Sequence, residues 1–424
     1  MLNQISISSV DQSRFSKCFT KPLYESFCFS KIPETILSLL TGEGEGLPPS
    51  CYSMSEGSYD GVVLFFLDAF GWSIFNRYKD HPFCRRFLQQ GIVSKISTQF
   101  PSTTAAHVTT IHTGLEVGET GIYEWFQYEP LVDEMIAPLL FSRAGDPIHN
   151  SLLQSEHSVR DFFPFKTFYE KLHAKQIESY VFQDAGISGS PYSQALCLGA
   201  HPMAFLHLEQ GLKDLQELLC RPRKNKLYAF FYYGNIDAMG HRKGITSSHF
   251  DRSVLHCLDL LEKEFMGFFS SLPKKTALLV TADHGMVDIK PKNTIYVNDL
   301  CKELTTWSQV NKKNQVLAPA GSCRDLFLHI KEEYIEIALV TLKELLKGKA
   351  EVWQVKELIQ RGLFGRNVSA RFLERVGNVV VLPYKGEAVW WFHPDKFSQN
   401  FYGAHGGLTE EESQTIFLFL SNCK

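Results

Sequence analysis

Three short stretches of the chain place carboxylates and imidazoles at spacings that suit a metal ion. Asp237-Ala238-Met239-Gly240-His241 sets the two ligand types four residues apart, within reach of one ion from a single loop or helical turn, and Gly240 permits a tight bend. Asp283-His284-Gly285 puts both types side by side after an apolar run. Gly403-Ala404-His405-Gly406-Gly407 frames one histidine with glycines and is followed by Thr409 and Glu412 in capping-box spacing. Asp68 closes another apolar run. Taken singly, each has a plainer structural reading: a surface turn, a strand-end turn, or a histidine with its own local partners.

A fourth stretch, Phe100-Pro101-Ser102-Thr103-Thr104-Ala105-Ala106-His107, begins with a turn signal and runs into a helix pattern whose first turn holds the threonines. Free N–H groups and the helix dipole at such a terminus favour an anion, so a phosphate can sit there within reach of a hydroxyl. The plainer reading makes Ser102 and Thr103 N-caps. Together, Asp68, Thr104, Asp237, His241, Asp283, His284 and His405 supply enough oxygen and nitrogen donors for two divalent ions. Mixed carboxylate and imidazole ligation favours Zn²⁺, with Mn²⁺ or Fe²⁺ as alternatives, and is unlike the all-oxygen cages of Ca²⁺.

Side chains so far apart in sequence need a scaffold that gathers them. Val62–Leu67, Tyr180–Phe182, Tyr228–Tyr232 and Ala277–Val280 read as strands buried on both faces, too widely spaced for hairpins. Between the last two, Phe250, Val254, Cys257, Leu258, Leu261 and Phe265 form a helical stripe. Strand, helix, strand alternation predicts an α/β fold with a mostly parallel central sheet flanked by helices. In such sheets ligands bind beyond the carboxyl ends of the strands, and Asp68, Asp237 and Asp283-His284 all follow strand ends. Residues 290–398 differ in texture, with amphipathic helices expected at Tyr334–Leu346 and Val352–Gln360 and a strand at Val379–Leu382; they read as an inserted smaller cap. The expected division is an N-terminal extension over 1–55, a catalytic core over 56–289 plus 399–424, and the cap. Gly-Glu-Gly-Glu-Gly at 42–46 reads as a flexible join.

The 424 residues are 44% hydrophobic and 21% charged, enough to bury a large core. A formal net charge of -3 gives no overall basic excess for nucleic acid or anionic membranes, so any phosphate recognition is local. The ten cysteines contain no Cys-x-x-Cys pair and read as reduced thiols, Cys423 among them. The start, Met-Leu-Asn-Gln-Ile-Ser, lacks a basic n-region and a continuous apolar stretch, and the apolar runs fall short of the roughly 20 residues of a membrane span. A cytoplasmic protein without a span is the expectation.

In this order, Phe-Pro-Ser-Thr-Thr, Asp-x-x-Gly-His, Asp-His-Gly and a late Gly-x-His-Gly resemble the alkaline phosphatase superfamily, and within it the type I phosphodiesterase and nucleotide pyrophosphatase family. The resemblance runs from about Val62 to Glu412. It implies an alkaline-phosphatase-like α/β core and two zinc ions, one held by Asp237, His241 and His405, the other by Asp68, Asp283 and His284 together with Thr104. An ungapped match from Phe100-Pro101 to Thr113-Gly114 makes Thr104, not Thr103, the implied nucleophile. His107 stands where related nucleotide pyrophosphatases have an asparagine that hydrogen-bonds a non-bridging phosphate oxygen; His107 takes over that donation, or the role is absent. Trp125, Phe126 and Tyr128 form an aromatic wall for a base or other leaving group, or pack under the cap.

The implied chemistry is in-line displacement through a phosphothreonine. Two dications balanced by three aspartates and one alkoxide suit a singly charged diester, and Arg143, Arg242 and Arg252 are not placed as a dianion-binding arginine would be. The expected partner is a small-molecule phosphate ester, with a nucleotide as one candidate. A phosphomonoesterase or phosphonate hydrolase on the same centre is the enzymatic alternative, and a catalytically silent nucleotide- or partner-binding chain is the alternative of another class. Sulfatases require a Cys/Ser-x-Pro-x-Arg context, which the Thr104 region lacks.

Overall fold

Strand β1 (Gly61–Leu67) is buried along its whole length, and its side chains divide by parity. Val63, Phe65 and Leu67 join one apolar cluster with Phe182 and Phe231, while Val62, Leu64 and Phe66 join another on the opposite face with Ile36, Leu40 and Phe230. A strand apolar at both parities belongs inside a sheet covered on both sides. The computed structural model describes residues 1–54, 57–394 and 397–422; Cys423 and the boundary residues 55 and 56 lie outside the described residues.

Further along the chain come β2 (Ile92–Ser97), β3 (Ile177–Asp184), β4 (His201–Phe205), β5 (Lys226–Tyr233) and β6 (Thr276–Thr281). They are followed by β7 (Ala320–Ser322), β8 (Asp325–Leu328), β9 (Ala350–Gln354) and β10 (Val379–Pro383), and finally β11 (Gln414–Ser421). The central sheet has seven strands in the order β2-β11-β6-β1-β5-β3-β4. It is parallel except for β11, which runs antiparallel between β2 and β6. The expected mostly parallel α/β fold is the one observed. Four helices matter most here: α1 (Ile32–Thr41), α2 (Thr104–Thr113), α3 (Asn235–Lys243) and α4 (Ser248–Leu260). The predicted stripe lies on α4, which continues as a π-helical turn over Leu261–Met266.

Strands β7 to β10 make a second, antiparallel sheet in the order β7-β8-β10-β9. Its core is continuous with the segment around α2, since Phe100, Ala106 and Tyr123 share a cluster with Phe327, Phe364 and Val380. The helix expected over 352–360 starts only at Val355, because residues 350–354 alternate buried and half-buried and extend β9 instead. The glycine run at 42–46 is not a loose join. Gly42 takes the left-handed conformation that ends α1, at φ 81°, and a Cβ on Gly46 would lie 2.5 Å from the Thr35 Cα. Among the described residues no helix is long and apolar enough to cross a membrane.

Candidate active site

The carboxyl edge of the central sheet gathers the expected residues. Asp68 follows β1; Asp237 and His241 lie on α3, which begins two residues after β5; Asp283 and His284 follow β6. Because β11 runs the other way, the loop that precedes it returns His405 to the same edge. The loops after β1 and β6 touch through glycine: a Cβ on Gly71 would lie 2.6 Å from the Gly285 Cα.

Two ligand groups result, Asp237 with His241 and His405, and Asp68 with Asp283 and His284, each with its ligand atoms within 4.8 Å of one another. In the first, His241 Nδ1 donates to the Gly403 carbonyl at 2.8 Å and His405 Nδ1 to the Ser102 carbonyl at 3.0 Å. A carbonyl only accepts, so each ring carries its proton on Nδ1 and presents a lone pair at Nε2. Those Nε2 atoms face each other at 3.1 Å, with Asp237 Oδ1 3.4 Å from His241 and 3.6 Å from His405. In the second group, His284 Nδ1 donates to the Gly285 carbonyl at 2.9 Å, leaving Nε2 3.5 Å from Asp68 Oδ1 and 3.3 Å from Asp283 Oδ2. The His284 and His405 rings stack at 3.5 Å, so the groups are side by side.

Divalent cations fit this donor set. Asp68 Oδ1, Asp237 Oδ1 and Asp283 Oδ2 are buried and lack a hydrogen-bond partner, whereas the opposite oxygens of two of them are tied down. Tyr232 donates to Asp68 Oδ2, and the Ala69 and His284 amides donate to Asp283 Oδ1, both at 3.0 Å. Buried acceptors converging on imidazole lone pairs are repulsive unless a cation lies between them. Burial pushes Asp283 up to about 7 and raises Asp237, and burial with the charges of Asp283 and Asp237 lifts Asp68 well above the usual range. Burial likewise holds His284 and His405 well below the ordinary imidazole value.

Thr104 is the first residue of α2 and half-buried, with its hydroxyl 3.2 Å from His284 Nε2. Thr103 caps the same helix: its hydroxyl donates to the Tyr123 carbonyl at 3.0 Å and accepts from the Ala106 amide at 3.4 Å. One threonine is therefore consumed by structure and the other faces the ligands.

A cleft of about 520 Å³ opens beside them, lined by Thr104, Asp237, His241 and His405 and walled by Trp125, Phe126, Trp390, Phe397 and Phe401. Trp125 is 40% exposed, and Phe126 stacks on Trp390 and meets Phe397 edge-on. Tyr128 is a correction: its hydroxyl donates to Asp133 and its ring packs on His329, outside the cleft. His107 is another. It is fully buried, its Nδ1 donates to the Thr103 carbonyl at 2.7 Å and its Nε2 accepts from the Gln99 amide at 2.8 Å, so no ring nitrogen remains for a phosphate. Of the three arginines, Arg143 is committed to Glu134, while Arg242 does line the cleft. Glu124, Ser322, Cys323, Trp390, Phe397 and Phe401 also line it. Sequence reasoning missed them; the aromatic density of Val389-Trp390-Trp391-Phe392 was the available signal.

Among solved structures, the murine ectonucleotide pyrophosphatase / phosphodiesterase 5 superposes with a TM-score of 0.60 at 18% identity, covering 85% of this chain and 87% of that one. An inactive variant of the murine protein, in complex with AMP, superposes at 0.61 and 17% identity over the same shares. Phosphonoacetate hydrolase from Sinorhizobium meliloti 1021, in complex with phosphonoformate, gives 0.58 at 16% identity, covering 88% of this chain and 92% of that one. These likenesses concern the fold. No curated protein is matched by sequence comparison. The family model for Type I phosphodiesterase / nucleotide pyrophosphatase matches residues 62–407, most of the chain and every proposed ligand, and the chain belongs to that family of phosphoester hydrolases.

Proposed function

We propose that this chain is a two-metal phosphodiesterase that cleaves a small phosphate diester through a phosphothreonine at Thr104. One observation carries the reading: three buried, unpartnered carboxylate oxygens converge with three imidazole lone pairs beside a helix-initiating hydroxyl. Asp237, His241 and His405 would hold one ion; Asp68, Asp283 and His284, with Thr104, would hold the other. When bound, such ions supply Lewis-acid stabilisation of charge at phosphorus and make a hydroxyl acidic. The donor set suits Zn²⁺ best and Mn²⁺ next.

The chain's own part follows from its geometry. Thr104 Oγ1 attacks phosphorus, the ester bond opposite breaks, and water later cleaves the phosphothreonine and restores Thr104. The N–H groups of Thr104 and Ala105, in the first turn of α2, have no intrahelical acceptor and suit phosphate oxygens. Trp125, Phe126 and the cap aromatics exclude water and give an apolar leaving group, such as a nucleoside, a flat surface. The nine described cysteines are free thiols, which suits a reducing compartment, and the proposed location is cytoplasmic.

The test is the rate of p-nitrophenol release from a nitrophenyl nucleotide diester and from nitrophenyl phosphate, using zinc- or manganese-loaded wild type and Thr104→Ala. Preference for the diester with a dead mutant supports the reading. Preference for the monoester replaces it with a phosphatase, and no turnover of either replaces it with a binding role.

A further inference from the structure

Arg242 is the only lysine or arginine among the described residues that line the cleft. It stands in the last turn of α3, directly after His241, and is exposed. Ala238 and Arg242 are one helical turn apart and line the cleft beside the stripe of Asp237 and His241. Arg242 Nε donates to the Ala238 carbonyl at 3.0 Å, so the side chain lies back along the helix over the small Ala238. The remaining guanidinium N–H groups have no acceptor among the described residues, although Asp237 and Glu124 line the same cleft. A structural cation at the end of α3 needs no such unpaired fork, since Lys243 in the same turn already complements the helix dipole.

The side of the centre on which Arg242 stands decides which part of a substrate it meets. Thr104 Oγ1 lies 3.2 Å from His284 Nε2, in the group of Asp68, Asp283 and His284, and the other ligand group lies alongside through the stacked His284 and His405 rings. In-line displacement puts the departing oxygen opposite the attacking one, hence on the side of Asp237, His241 and His405. Arg242 adjoins that group. We propose that Arg242 is a specificity-determining residue that binds an oxyanion, a carboxylate or a phosphate, carried by the leaving portion of the ester. This rests on the phosphodiester reading of the site. The planar guanidinium fork matches either oxyanion through paired N–H donors. The flat part of the same leaving portion lies on the wall of Trp125, Phe126 and Trp390, and its charged end meets Arg242. The phosphoryl group under attack sits at Thr104 instead, so Arg242 reads the charge of what departs and not that of a monoester's own phosphate.

Matched leaving groups that differ in charge test this. Metal-loaded full-length wild type, Arg242→Gln and Arg242→Lys are compared on methyl phosphate diesters of 4-hydroxybenzamide, 4-hydroxybenzoate and 4-hydroxyphenyl phosphate, with metal content measured in each. Wild type should favour an anionic ester over the neutral amide by about tenfold in kcat/KM, chiefly through KM, and the preference should shrink at high salt. Arg242→Gln should bring that ratio close to unity at unchanged metal content, and Arg242→Lys should keep part of it. A preference confined to the benzoate ester assigns the site to a carboxylate, and one confined to the phosphate-bearing ester assigns it to a phosphate. No preference in wild type, or a ratio that survives in Arg242→Gln, overturns the proposal. Calorimetric titration of the same esters into metal-loaded Thr104→Ala, with and without Arg242→Gln, reads the ratio in Kd without turnover. If wild type cleaves none of the three, the phosphodiester reading fails, and the Kd ratio still decides on Arg242 separately.

Discussion

His241 and His405 face each other through unprotonated Nε2 atoms 3.1 Å apart, each ring locked by an Nδ1–H bond to a backbone carbonyl. Two lone pairs at that distance, with Asp237 Oδ1 beside them, have lower energy with a cation between them than without. His405→Ala or Asp237→Asn should therefore lower zinc from two ions per chain to one, and His284→Ala should remove the other ion. Atomic absorption on dialysed protein reads this directly. Chelation should also lower the melting temperature, since a ligand at a thousandfold its Kd stabilises by about 4 kcal/mol. Unchanged metal content in all three variants would sink the assignment.

Thr103 and Thr104 separate structure from chemistry within one helical turn. Thr104→Ala removes the hydroxyl 3.2 Å from His284 Nε2 but no cap, so it should keep metal and fold and lose turnover by several orders of magnitude. Thr103→Ala removes the cap bonds to Ala106 and Tyr123 and should lower stability by about 1 kcal/mol while leaving most activity. Steady-state kinetics beside urea denaturation of each variant gives both numbers. A reversed pattern would move the nucleophile to Thr103.

Proton release on zinc binding should be larger at acidic than at alkaline pH. The Asp283 carboxyl is raised to about 7 by burial, and Asp68 and Asp237 shift the same way, so the metal-free centre carries protons that an ion must displace. His284 and His405 shift downwards, are already neutral, and release none. For a carboxyl raised on folding, the stabilising contribution is complete below the ordinary carboxylate value and is lost as pH rises through about 7. Calorimetric titrations in buffers of different ionisation enthalpy should show more protons released at pH 6 than at pH 8. Equal release at both values contradicts the protonated centre.

Much of this site was legible because parallel strands announce their ends. Asp68, Asp237, Asp283 and His284 each follow a buried apolar run, and a fold that buries both faces of such runs leaves one edge for ligands. His405 was legible only through its glycine frame, because the strand after it is antiparallel and no apolar run precedes it. His107 and Tyr128 misled for one reason: residue type fixes what a side chain can do, while its partners fix what it does. His107 is spent on Thr103 and Gln99, and Tyr128 on Asp133. That Glu124 and Ser322 share one wall of the cleft depends on the second sheet lying over residues 100–126, where Phe126 bridges to Gly321, and no local pattern encodes that.

Tyr232 gives a graded test of how the ligands are held. Its hydroxyl donates to Asp68 Oδ2 and thereby turns Oδ1 towards His284. Tyr232→Phe keeps the ring packed against Phe66 and deletes the donor, so the fold should survive and zinc affinity should fall about tenfold, as when an outer hydrogen bond to a ligand is lost. Competition against a fluorescent zinc chelator measures the change. An unaltered Kd would mean that packing alone orients Asp68.

Glu412 sits at the spacing of a capping box, yet its main partner is Arg324 from the second sheet. The contacts are bidentate at 2.8 and 2.9 Å, and both side chains are fully buried. Glu412 also accepts from the Gly407 amide at 3.1 Å and from the Thr409 hydroxyl, so it fixes the loop that carries His405. Arg324→Met leaves that carboxylate buried and unpaired and should lower stability by about 3–5 kcal/mol. Arg324→Met with Glu412→Gln removes both charges, keeps an acceptor for Gly407 and Thr409, and should regain part of the loss. Urea denaturation of the zinc-loaded and chelated proteins distinguishes the two effects: the double variant should recover stability in both forms. If the single and double variants were equally unstable, the pair would act through packing rather than through charge.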